Sequence, residues 1–477
     1  MTGQKPIKFG TDGWRGIIAE DFTFDNVRIC AQALADYLKE SGLAPRGLLI
    51  GYDTRFASED FARAAAEVVC GNGIKVYLCD KAVPTPVVSY GVCLKEAGGA
   101  IVITASHNPP QWNGFKVKHH DGSSAPTEVI PQLEKNIAAI GAAGETKRIS
   151  LSEAGKQGLL EEIDLVPAYA GQMARLVDLD GLKKAGLKIA VDSMYGAGAG
   201  YFGSLLNGGA NEIVEINGRR NPAFPGIKQP EPIAVNLGKL SAKVREEKAD
   251  VGLATDGDSD RIGIIDENGN FLTQLQVFAL LALYLLEVRG QRGAIVKTIT
   301  TTGMLYRLGE LFGVDVYETP VGFKYIAPVM TRHDALVGGE ESGGYGFRGH
   351  VPERDAIVSG LYFLDLMVKT GKSPSQLIEY LYSKVGPHHY DRLDIEFEPS
   401  QKEAVIGRVK DSSPQELGGV KVVKKDTLDG FRFILEDSSW LLVRFSGTEP
   451  LLRIYSESDS KERTEQLLKL GKDIAGV

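Results

Sequence analysis

The stretch that decides the fold is GLLIGYDTRFASEDFARAAAEVVCGNGIKVYLC, residues 47–79. It begins with an apolar strand at 48–50, passes through a polar turn, and continues as a helical segment at 61–70. Glycines at 71 and 73 stop the helix, and apolar residues 74–78 form the next strand. Strand, turn, helix, glycine stop and strand are typical of a β-α-β crossover. The pattern therefore predicts two parallel strands covered by a helix.

The same pattern recurs twice downstream. One copy runs from a strand at 187–191 through a helix at 200–206 to a strand at 213–216. The other runs from a strand at 294–296 through a helix at 304–311, ended by Gly313, to a strand at 314–317. Three such units predict three related α/β domains. We place them at 1–155, 156–262 and 263–386.

The C-terminal part has a different pattern. Alternating strands at 393–397 and 431–435 precede a helix at 460–474. Strands followed by a terminal helix predict a smaller α+β domain. We place this fourth domain at 387–477.

Composition limits the class of protein. The 477 residues are 43% hydrophobic and 24% charged, which is ordinary for a soluble folded protein. With 54 Lys and Arg against 62 Asp and Glu, the net charge of −8 disfavours nonspecific nucleic-acid binding. The longest apolar run, 277–286, is too short to span a membrane and predicts a buried helix. Four cysteines without a C-x-x-C pair predict buried, reduced thiols in a cytoplasmic protein.

The first candidate loop, TASHNPP at 104–110, follows a predicted strand at 99–103. Ser106 therefore lies in a turn at the carboxyl end of a strand, where ligands of open α/β sheets bind. A serine there can act as a nucleophile or phosphoryl carrier. It can equally be a turn residue that hydrogen-bonds its own backbone. Lys116 follows in the segment NGFK and adds a cation.

The second loop, DGDSDR at 256–261, places Asp256, Asp258 and Asp260 at alternate positions. Three carboxylates this close repel one another unless a cation lies between them, so the loop predicts a metal site; the alternative is an exposed acidic turn. A calcium hand needs Gly where Arg261 stands, and helices where apolar strands are predicted. We therefore expect Mg²⁺, with phosphate or water completing its octahedron.

Two further loops are candidates for substrate binding. In GGEESGG, 338–344, glycines allow close backbone approach, and Glu340 and Ser342 can hydrogen-bond sugar hydroxyls. A plain glycine-rich hairpin fits equally well. The segment RFSGTEP, 444–450, with Arg453 beyond it, combines arginines, hydroxyls and backbone amides that suit an anion. A strand-turn with a solvated arginine is the alternative there.

Together with FGTDGWRG, 9–16, these loops resemble the α-D-phosphohexomutase superfamily, within its phosphoglucomutase/phosphomannomutase family. The resemblance covers essentially the whole chain, with the loops in the expected order. The motifs T-A-S-H-N-P-x-x-x-N-G-F-K and D-G-D-x-D-R are highly specific. The resemblance implies a heart-shaped α/β architecture. Three related α/β domains and a smaller C-terminal α+β domain each contribute one loop to a central cleft.

The resemblance also implies the reaction and its participants. A hexose 1-phosphate and a hexose 6-phosphate, of glucose first and of mannose second, interconvert through a phosphoserine and a hexose 1,6-bisphosphate. We expect Mg²⁺ as cofactor, the bisphosphate as activator and a small sugar phosphate as partner. Nucleic acid and membrane are not expected as partners, and the chain is expected to be a monomer or homodimer.

Individual residues take roles from the same resemblance. Ser106 is the phosphoserine and, with Asp256, Asp258 and Asp260, holds Mg²⁺. The residues implied around the reacting phosphoryl group are Arg15, His107, Lys116 and Arg261. The residues implied to bind substrate are Gly322, Lys324, Glu340, Ser342, Arg444, Ser446, Gly447, Thr448 and Arg453. We expect Lys116 to be the general base, because surrounding cations should lower its pKa.

Departures from the family pattern bear on the substrate. Many phosphomannomutase/phosphoglucomutase members place His where Gly344 stands, which leaves one contact unfilled. Glucosamine mutases typically have Gln where Glu341 stands, and Gly-Ile-Arg at 13–15, so an amino sugar is less expected. The alternatives are a phosphoglucosamine mutase, a glucose 1,6-bisphosphate synthase, a phosphatase, and a noncatalytic calcium- or sugar-phosphate-binding protein.

Overall fold

The structure, a computed structural model, describes residues 6–10, 12–143, 145–396, 400, 402–445 and 451–477. Four sheets follow one another along these residues, each packed against helices. This order of three α/β units and a different C-terminal unit confirms the four-domain α/β architecture that the sequence predicts.

The first sheet has the strand order β1-β5-β4-β2-β3-β6. Its strands are β1 (Trp14–Ile17), β2 (Leu48–Tyr52), β3 (Val76–Cys79), β4 (Ala100–Ile103), β5 (Trp112–Lys118) and β6 (Leu160–Ile163). Its helices are α1 (Phe24–Glu40), α2 (Ser58–Gly71), α3 (Thr85–Lys95), α4 (Val129–Ala143) and α5 (Leu151–Lys156), and a short 3₁₀ turn covers Ala44–Arg46. Strands β2 and β3 are parallel and joined by α2, as the crossover pattern predicts.

The second sheet has the order β11-β10-β9-β7-β8. Its strands are β7 (Lys188–Asp192), β8 (Glu212–Ile216), β9 (Val251–Thr255), β10 (Ile262–Ile265) and β11 (Phe271–Leu272). The helices of this part are α6 (Val166–Leu176), α7 (Leu179–Lys183), α8 (Tyr201–Leu206) and α9 (Gly238–Glu247), with a 3₁₀ turn at Ala234–Asn236. Strands β7 and β8 are parallel, whereas β9 and β10 form an antiparallel hairpin.

The third sheet has the order β13-β12-β14-β15. Its strands are β12 (Ile295–Thr298), β13 (Val316–Thr319), β14 (Val337–Gly339) and β15 (Tyr345–Phe347). Its helices are α10 (Gln274–Leu283), α11 (Met304–Phe312), α12 (Phe323–His333), α13 (Ala356–Thr370) and α14 (Pro374–Val385). The apolar run 277–286 lies in α10 and the π-helical turn Tyr284–Val288 that follows, and it is buried as predicted.

The fourth sheet is antiparallel, in the order β16-β21-β20-β19-β18-β17. Its strands are β16 (His389–Glu396), β17 (Glu416–Leu417), β18 (Val420–Asp426), β19 (Phe431–Leu435), β20 (Trp440–Phe445) and β21 (Leu451–Ser458). Helix α15 (Lys402–Asp411) precedes the sheet's last five strands, and α16 (Lys461–Ala475) is the predicted terminal helix.

Several predicted details differ from the structure. Strands β3 and β13 begin two residues later than the apolar patterns suggest, because residues 74 and 314 still close the preceding helices. The amide of Ile74 donates to the Val69 carbonyl at 3.3 Å, and that of Val314 to the Gly309 carbonyl at 2.9 Å. Cys93 is exposed rather than buried, because it lies on the outer face of α3. Predicted strand residue 397 lies outside the described residues.

Sheet membership bears on the expected domain limits. Strand β6 pairs with β3, so the first sheet continues past residue 155. Strands β10 and β11 pair with β9, so the second sheet continues past residue 262. These pairings favour boundaries some residues later than those drawn from the sequence. No helix among the described residues is long and apolar enough to cross a membrane.

Candidate active site

Three loops at the ends of strands carry many of the candidate residues. The Ser106 loop follows β4, the metal loop 256–261 joins β9 to β10, and the loop 340–344 joins β14 to β15. Although they belong to three different sheets, the Ser106 loop contacts the metal loop directly, and Arg354 joins Asp260 of the metal loop to Glu340 of the third loop. Because the metal loop connects two antiparallel strands and no helix flanks it, the structure does not support a calcium hand.

Ser106 is buried in a strained turn. Its φ of 50° is in the left-handed region that non-glycine residues seldom adopt. Its amide donates to Thr104 Oγ1 at 2.9 Å, which fixes the turn. Its hydroxyl donates to Asp256 Oδ2 at 2.9 Å, and His107 Nδ1 lies 3.4 Å from the same oxygen. The metal loop therefore reaches the Ser106 hydroxyl.

The metal loop packs directly against the Ser106 loop. A Cβ at position 257 would overlap the carbonyl oxygen of Ser106, so only glycine allows this approach. Each of Asp256, Asp258 and Asp260 offers an oxygen within 4.8 Å of the others, and all three side chains are buried. Burial and the charges of Asp260 and Asp258 raise the pKa of Asp256 well above its usual range. The loop therefore concentrates negative charge that a cation would stabilise.

The donor set fits a divalent cation bound through oxygen. Oδ1 of Asp258 and Oδ1 of Asp260 are buried and accept no hydrogen bond from any described residue. Their other oxygens are held in place: Thr85 donates to Asp258 Oδ2 at 2.5 Å, and Lys116 donates to Asp258 Oδ2 at 2.8 Å. Buried carboxylate oxygens without a donor are costly unless a cation binds them. Hard oxygen ligands suit Mg²⁺.

Lys116 is surrounded by carboxylates rather than by cations. Its Nζ lies 2.7 Å from Asp12 Oδ2, 2.8 Å from Asp258 Oδ2 and 3.3 Å from Asp260 Oδ2. Burial would lower the pKa of Lys116, but these three carboxylates outweigh it and raise the pKa above its usual value. The expected lowering of this pKa is therefore wrong. Lys116 is held as an ammonium group.

Arg15, His107 and Arg261 flank the same region. Arg15 on β1 donates from Nη1 to Asn108 Oδ1 at 2.5 Å, which places it beside the Ser106 loop. Burial, then Arg261 and Arg15, lower the pKa of His107 well below its usual value, so its imidazole is neutral. Arg261 pairs with Glu231 at 2.9 Å.

The loop 340–344 is a hairpin connection that reaches the metal loop through one arginine. Glu340 is buried and pairs with Arg354 at 3.1 Å, and Ser342 is partly buried beside it. Gly344, where a histidine contact was missing, faces the side chain of Arg354: a Cβ there would overlap Arg354 Cδ. Two further residues implied to bind substrate lie in the third domain. Gly322 caps α12 with a φ of 132°, and Lys324 lies in the first turn of α12.

The fourth candidate loop is described only at its borders. Arg444 is the penultimate residue of β20, with its side chain mostly buried, and its Nε lies 3.0 Å from Asp429 Oδ2. Asp429 also accepts from the Val321 amide at 2.9 Å. Asp429 therefore links Arg444 to the loop of Gly322. Arg453 on β21 pairs across the strands with Arg444, and its Nε lies 3.7 Å from Asp394 Oδ1. Ser446, Gly447 and Thr448 lie outside the described residues.

Sequence reasoning missed several residues that hold the site together. Arg55, fully buried, donates to the Ser106 and Asn108 carbonyls at 2.6 Å each and forms an ion pair with Asp53 at 3.2 Å. The motif around Asp12 was quoted, but its aspartate was not given a role. Thr85, Asp429 and Arg354 belong to none of the candidate loops, and the sequence predicted no role for them. Of these residues, only Asp12 could have been found from the sequence, because it is a charged residue within the motif FGTDGWRG.

Comparison with known proteins decides the family. Four consecutive domain families of phosphoglucomutase/phosphomannomutase match the chain. They are alpha/beta/alpha domain I at residues 6–143, domain II at 167–269, domain III at 274–385 and the C-terminal domain at 406–470. The chain belongs to the phosphoglucomutase/phosphomannomutase family. The phosphoglucomutase/phosphomannomutase of Thermococcus kodakarensis is 33% identical over 97% of each chain.

Other similar proteins carry different substrate names. A probable phosphoglucosamine mutase of Methanosphaera stadtmanae is 32% identical over 98% of each chain. The crystal structure of a Thermus thermophilus protein, provisionally named phosphomannomutase, superposes over 100% of each chain with a TM-score of 0.86 and 35% identity. Membership of the phosphoglucomutase/phosphomannomutase family makes this chain a phosphohexomutase enzyme. The noncatalytic alternatives are therefore set aside.

Proposed function

We propose that the enzyme interconverts glucose 1-phosphate and glucose 6-phosphate through phosphorylated Ser106 and glucose 1,6-bisphosphate, with the mannose phosphates as second substrates. The observation that carries this proposal is the 2.9 Å contact between Ser106 Oγ and Asp256 Oδ2. It places a strained serine against a buried carboxylate triad with cations around it. Phosphoryl transfer depends mainly on positioning and on stabilising charge, which this arrangement provides.

The residues take the following parts in the proposed reaction. A sugar hydroxyl oxygen attacks the phosphorus of phospho-Ser106 and loses its proton, while the P–Oγ bond breaks and Ser106 Oγ, which stays on the enzyme, takes up a proton. The bisphosphate then returns its other phosphate to Ser106. Asp256, Asp258 and Asp260, with the Ser106 phosphate, would hold Mg²⁺, which when bound supplies positive charge at the transferring group. The free bisphosphate would act as activator by phosphorylating Ser106.

Charge and proton handling fall to side chains of this chain. Arg15, Lys116 and Arg261 stabilise the charge on the transferring group. Because Lys116 is held as an ammonium by three carboxylates, it is a poor proton acceptor. The neutral imidazole of His107, whose Nδ1 lies 3.4 Å from Ser106 Oγ, is the better placed group to exchange the hydroxyl proton.

The two ends of the substrate would be bound by different loops. Glu340 and Ser342 would contact sugar hydroxyls. The residues that would bind the phosphate that is not reacting are Gly322, Lys324, Arg444, Ser446, Gly447, Thr448 and Arg453. Support comes from Asp429, which accepts from the Val321 amide and pairs with Arg444, and so holds the loop of Gly322 close to Arg444.

A glucosamine phosphate is the second candidate substrate. Similar proteins are named phosphoglucosamine mutases. The position of Glu341 also weakens the sequence argument against an amino sugar. Its Oε1 accepts from Tyr390 at 2.9 Å and from Arg392 at 2.8 Å, so it contacts the C-terminal domain. A residue used between domains is a poor indicator of sugar chemistry. A glucose 1,6-bisphosphate synthase would use the same residues and release the intermediate.

A coupled assay tests the substrate. Glucose 1-phosphate, mannose 1-phosphate and glucosamine 1-phosphate are each supplied with trace bisphosphate and Mg²⁺, and formation of the 6-phosphate is followed. We expect the highest kcat/KM with glucose 1-phosphate. A highest value with glucosamine 1-phosphate would overturn the proposal in favour of the second candidate. Net accumulation of bisphosphate would indicate a synthase, and steady phosphate release a phosphatase.

The two ends of the cleft can be separated by mutation. Arg444→Ala removes a charge-assisted phosphate contact and should cost roughly 2–4 kcal/mol of binding for both sugars alike, by analogy with a truncated buried charge pair. Glu340→Ala should also lower activity but change the ratio of glucose to mannose turnover. Steady-state kinetics with both sugars in both directions measure this. A changed ratio in Arg444→Ala with none in Glu340→Ala would contradict the assignment.

A further inference from the structure

Arg354 lies where loops of three domains meet. It follows β15 in the segment 348–355 and is almost completely buried. No motif in the sequence points to it. It contacts four carboxylates, and three of these belong to the cleft described above.

The contacts of Arg354 join the metal loop to the sugar loop. Its Nη2 lies 2.8 Å from Asp260 Oδ2 and 2.7 Å from Asp12 Oδ2. Its Nη1 lies 3.1 Å from Glu340 Oε2, and its Nε lies 3.3 Å from Glu353 Oε1. A planar guanidinium presents its donors in a rigid fork, so these contacts fix the directions of the carboxylates relative to one another.

Asp260 is the important partner. Lys116 donates to its Oδ2 at 3.3 Å, and Arg354 Nη2 lies 2.8 Å from the same oxygen. Oδ1 is buried and accepts no hydrogen bond from the described residues, with Arg261 Nε 3.8 Å away. The guanidinium thus selects which oxygen of Asp260 is free for a cation. At its other side, the same guanidinium holds Glu340, the proposed sugar ligand.

Gly344 makes room for this arginine. A Cβ at position 344 would overlap Cδ of Arg354 and lie 2.8 Å from its Cγ. The backbone of Gly344 is outside the left-handed region, so space rather than conformation requires glycine there. The stem of Arg354 therefore packs directly against the backbone of Gly344.

We propose that Arg354 is a positioning residue of the reaction, which sets Asp260 of the metal loop and Glu340 of the sugar loop in register. The inference rests on the proposed function and deepens it. When a domain moves, the shared guanidinium makes the metal ligand and the sugar ligand move together.

Kinetics of three variants test the proposal. Arg354→Met keeps the length of the side chain and removes the charge, and Arg354→Lys keeps the charge but not the fork. At saturating Mg²⁺ and substrate we expect Arg354→Met to lower kcat about 100-fold with little change in KM, the scale of a roughly 1 Å misplacement of reacting groups. Arg354→Lys should recover part of the loss. The control Arg348→Met, in the same segment and paired with Asp334, should keep the kcat of the unmodified enzyme.

Calorimetric titration with Mg²⁺ alone gives a readout without turnover. Because Arg354 is a cation 2.8 Å from a ligand carboxylate, its removal should make Mg²⁺ bind several-fold more tightly. General damage to the fold would lower both Mg²⁺ affinity and turnover. Tighter Mg²⁺ binding together with slower turnover would therefore not result from such damage. Unchanged kcat in Arg354→Met, or weaker Mg²⁺ binding in both Arg354→Met and Arg354→Lys, would overturn the proposal.

A substitution at Gly344 tests the position of Arg354 without changing the arginine itself. Gly344→Ala should displace the Arg354 stem and lower kcat roughly 10-fold, whereas in an Arg354→Ala background it should cause no further loss. Equal losses in the two backgrounds would contradict the proposal. If the unmodified enzyme converted none of the three sugar phosphates, the proposed function would fail, while the Mg²⁺ titrations would still decide the placement of Arg354.

Discussion

Two buried ionic clusters in this molecule differ in their balance of charge. One is the cleft cluster described above, where carboxylates from three loops surround Lys116 and Arg354. The other joins the third and fourth domains. Lys297 Nζ lies 3.0 Å from Glu318 Oε1, Arg432 Nη1 lies 2.6 Å from the same oxygen, and Arg432 Nη2 lies 2.7 Å from Asp426 Oδ2.

The interface cluster is complete in the sense that each of its carboxylate oxygens has a donor, and the cleft cluster is not complete in this sense. At the interface two cations face two carboxylates, and each oxygen of Glu318 and Asp426 accepts at least one hydrogen bond. In the cleft, Asp258 and Asp260 each keep one buried oxygen that no described residue contacts as a donor. Buried charges that are fully paired hold a structure together. Buried carboxylate oxygens that lack donors indicate a ligand that completes them.

The largest expected effect tests the incomplete cluster. Asp258→Asn keeps the shape of the side chain and removes one metal-ligand charge, so we expect kcat to fall about 10²- to 10³-fold with a much smaller change in KM. The control Asp266→Asn changes an aspartate of the β10–β11 turn in the same domain and should leave kcat unchanged. Steady-state kinetics with and without Mg²⁺ measure this. Full turnover in Asp258→Asn would remove the metal role.

The next effect tests the complete cluster. Glu318→Gln leaves Lys297 and Arg432 buried without their shared carboxylate, which should lower the free energy of unfolding by about 3 kcal/mol. The turnover number should stay close to that of the unmodified enzyme. Urea unfolding followed by tryptophan fluorescence, to which buried Trp440 contributes, measures this change. Glu310→Gln, at an exposed pair with Arg307, is the matched control and should change stability by less than about 1 kcal/mol.

Metal addition should distinguish the two clusters directly. Mg²⁺ at about 100 times its dissociation constant should raise the free energy of unfolding by about 2.7 kcal/mol, because it binds the folded triad. The Glu318→Gln variant should gain the same free energy of unfolding, since its substitution lies in the interface cluster and not in the triad. Asp258→Asn should gain much less. Equal gains in all three proteins would indicate that Mg²⁺ binds elsewhere.

The smallest effect is a pH dependence at the interface. Burial raises the pKa of Glu318, but Lys297 and Arg432 outweigh it and lower this pKa to about 2, below the value of about 4.3 in an unfolded chain. Its stabilising contribution is therefore complete above about pH 4.3 and is lost as the pH falls toward 2. Between pH 5 and 3.5 the stability advantage over Glu318→Gln should shrink by about 1 kcal/mol. Urea unfolding at both pH values measures it; a constant difference would refute the ionic role.

The sequence by itself determined the architecture and the four loops. The β-α-β units, the glycine stops and the buried segment 277–286 are local patterns, because hydrophobic periodicity and backbone conformation depend on neighbours along the chain. The aspartate triad and Ser106 were recognisable for the same reason, since their spacing lies within a few residues.

Only the tertiary structure decided what those residues contact. Lys116 and Asp258 are 142 residues apart, and Asp12 and Arg354 are 342 residues apart. Pairings at such separations depend on how the domains pack, so no local spacing could reveal that Lys116 is held by carboxylates. The same holds for Arg55 and Arg354, which belong to no motif. A pKa and a positioning role follow from the charges and volumes around a residue in space, and the chain brings those together only when it folds.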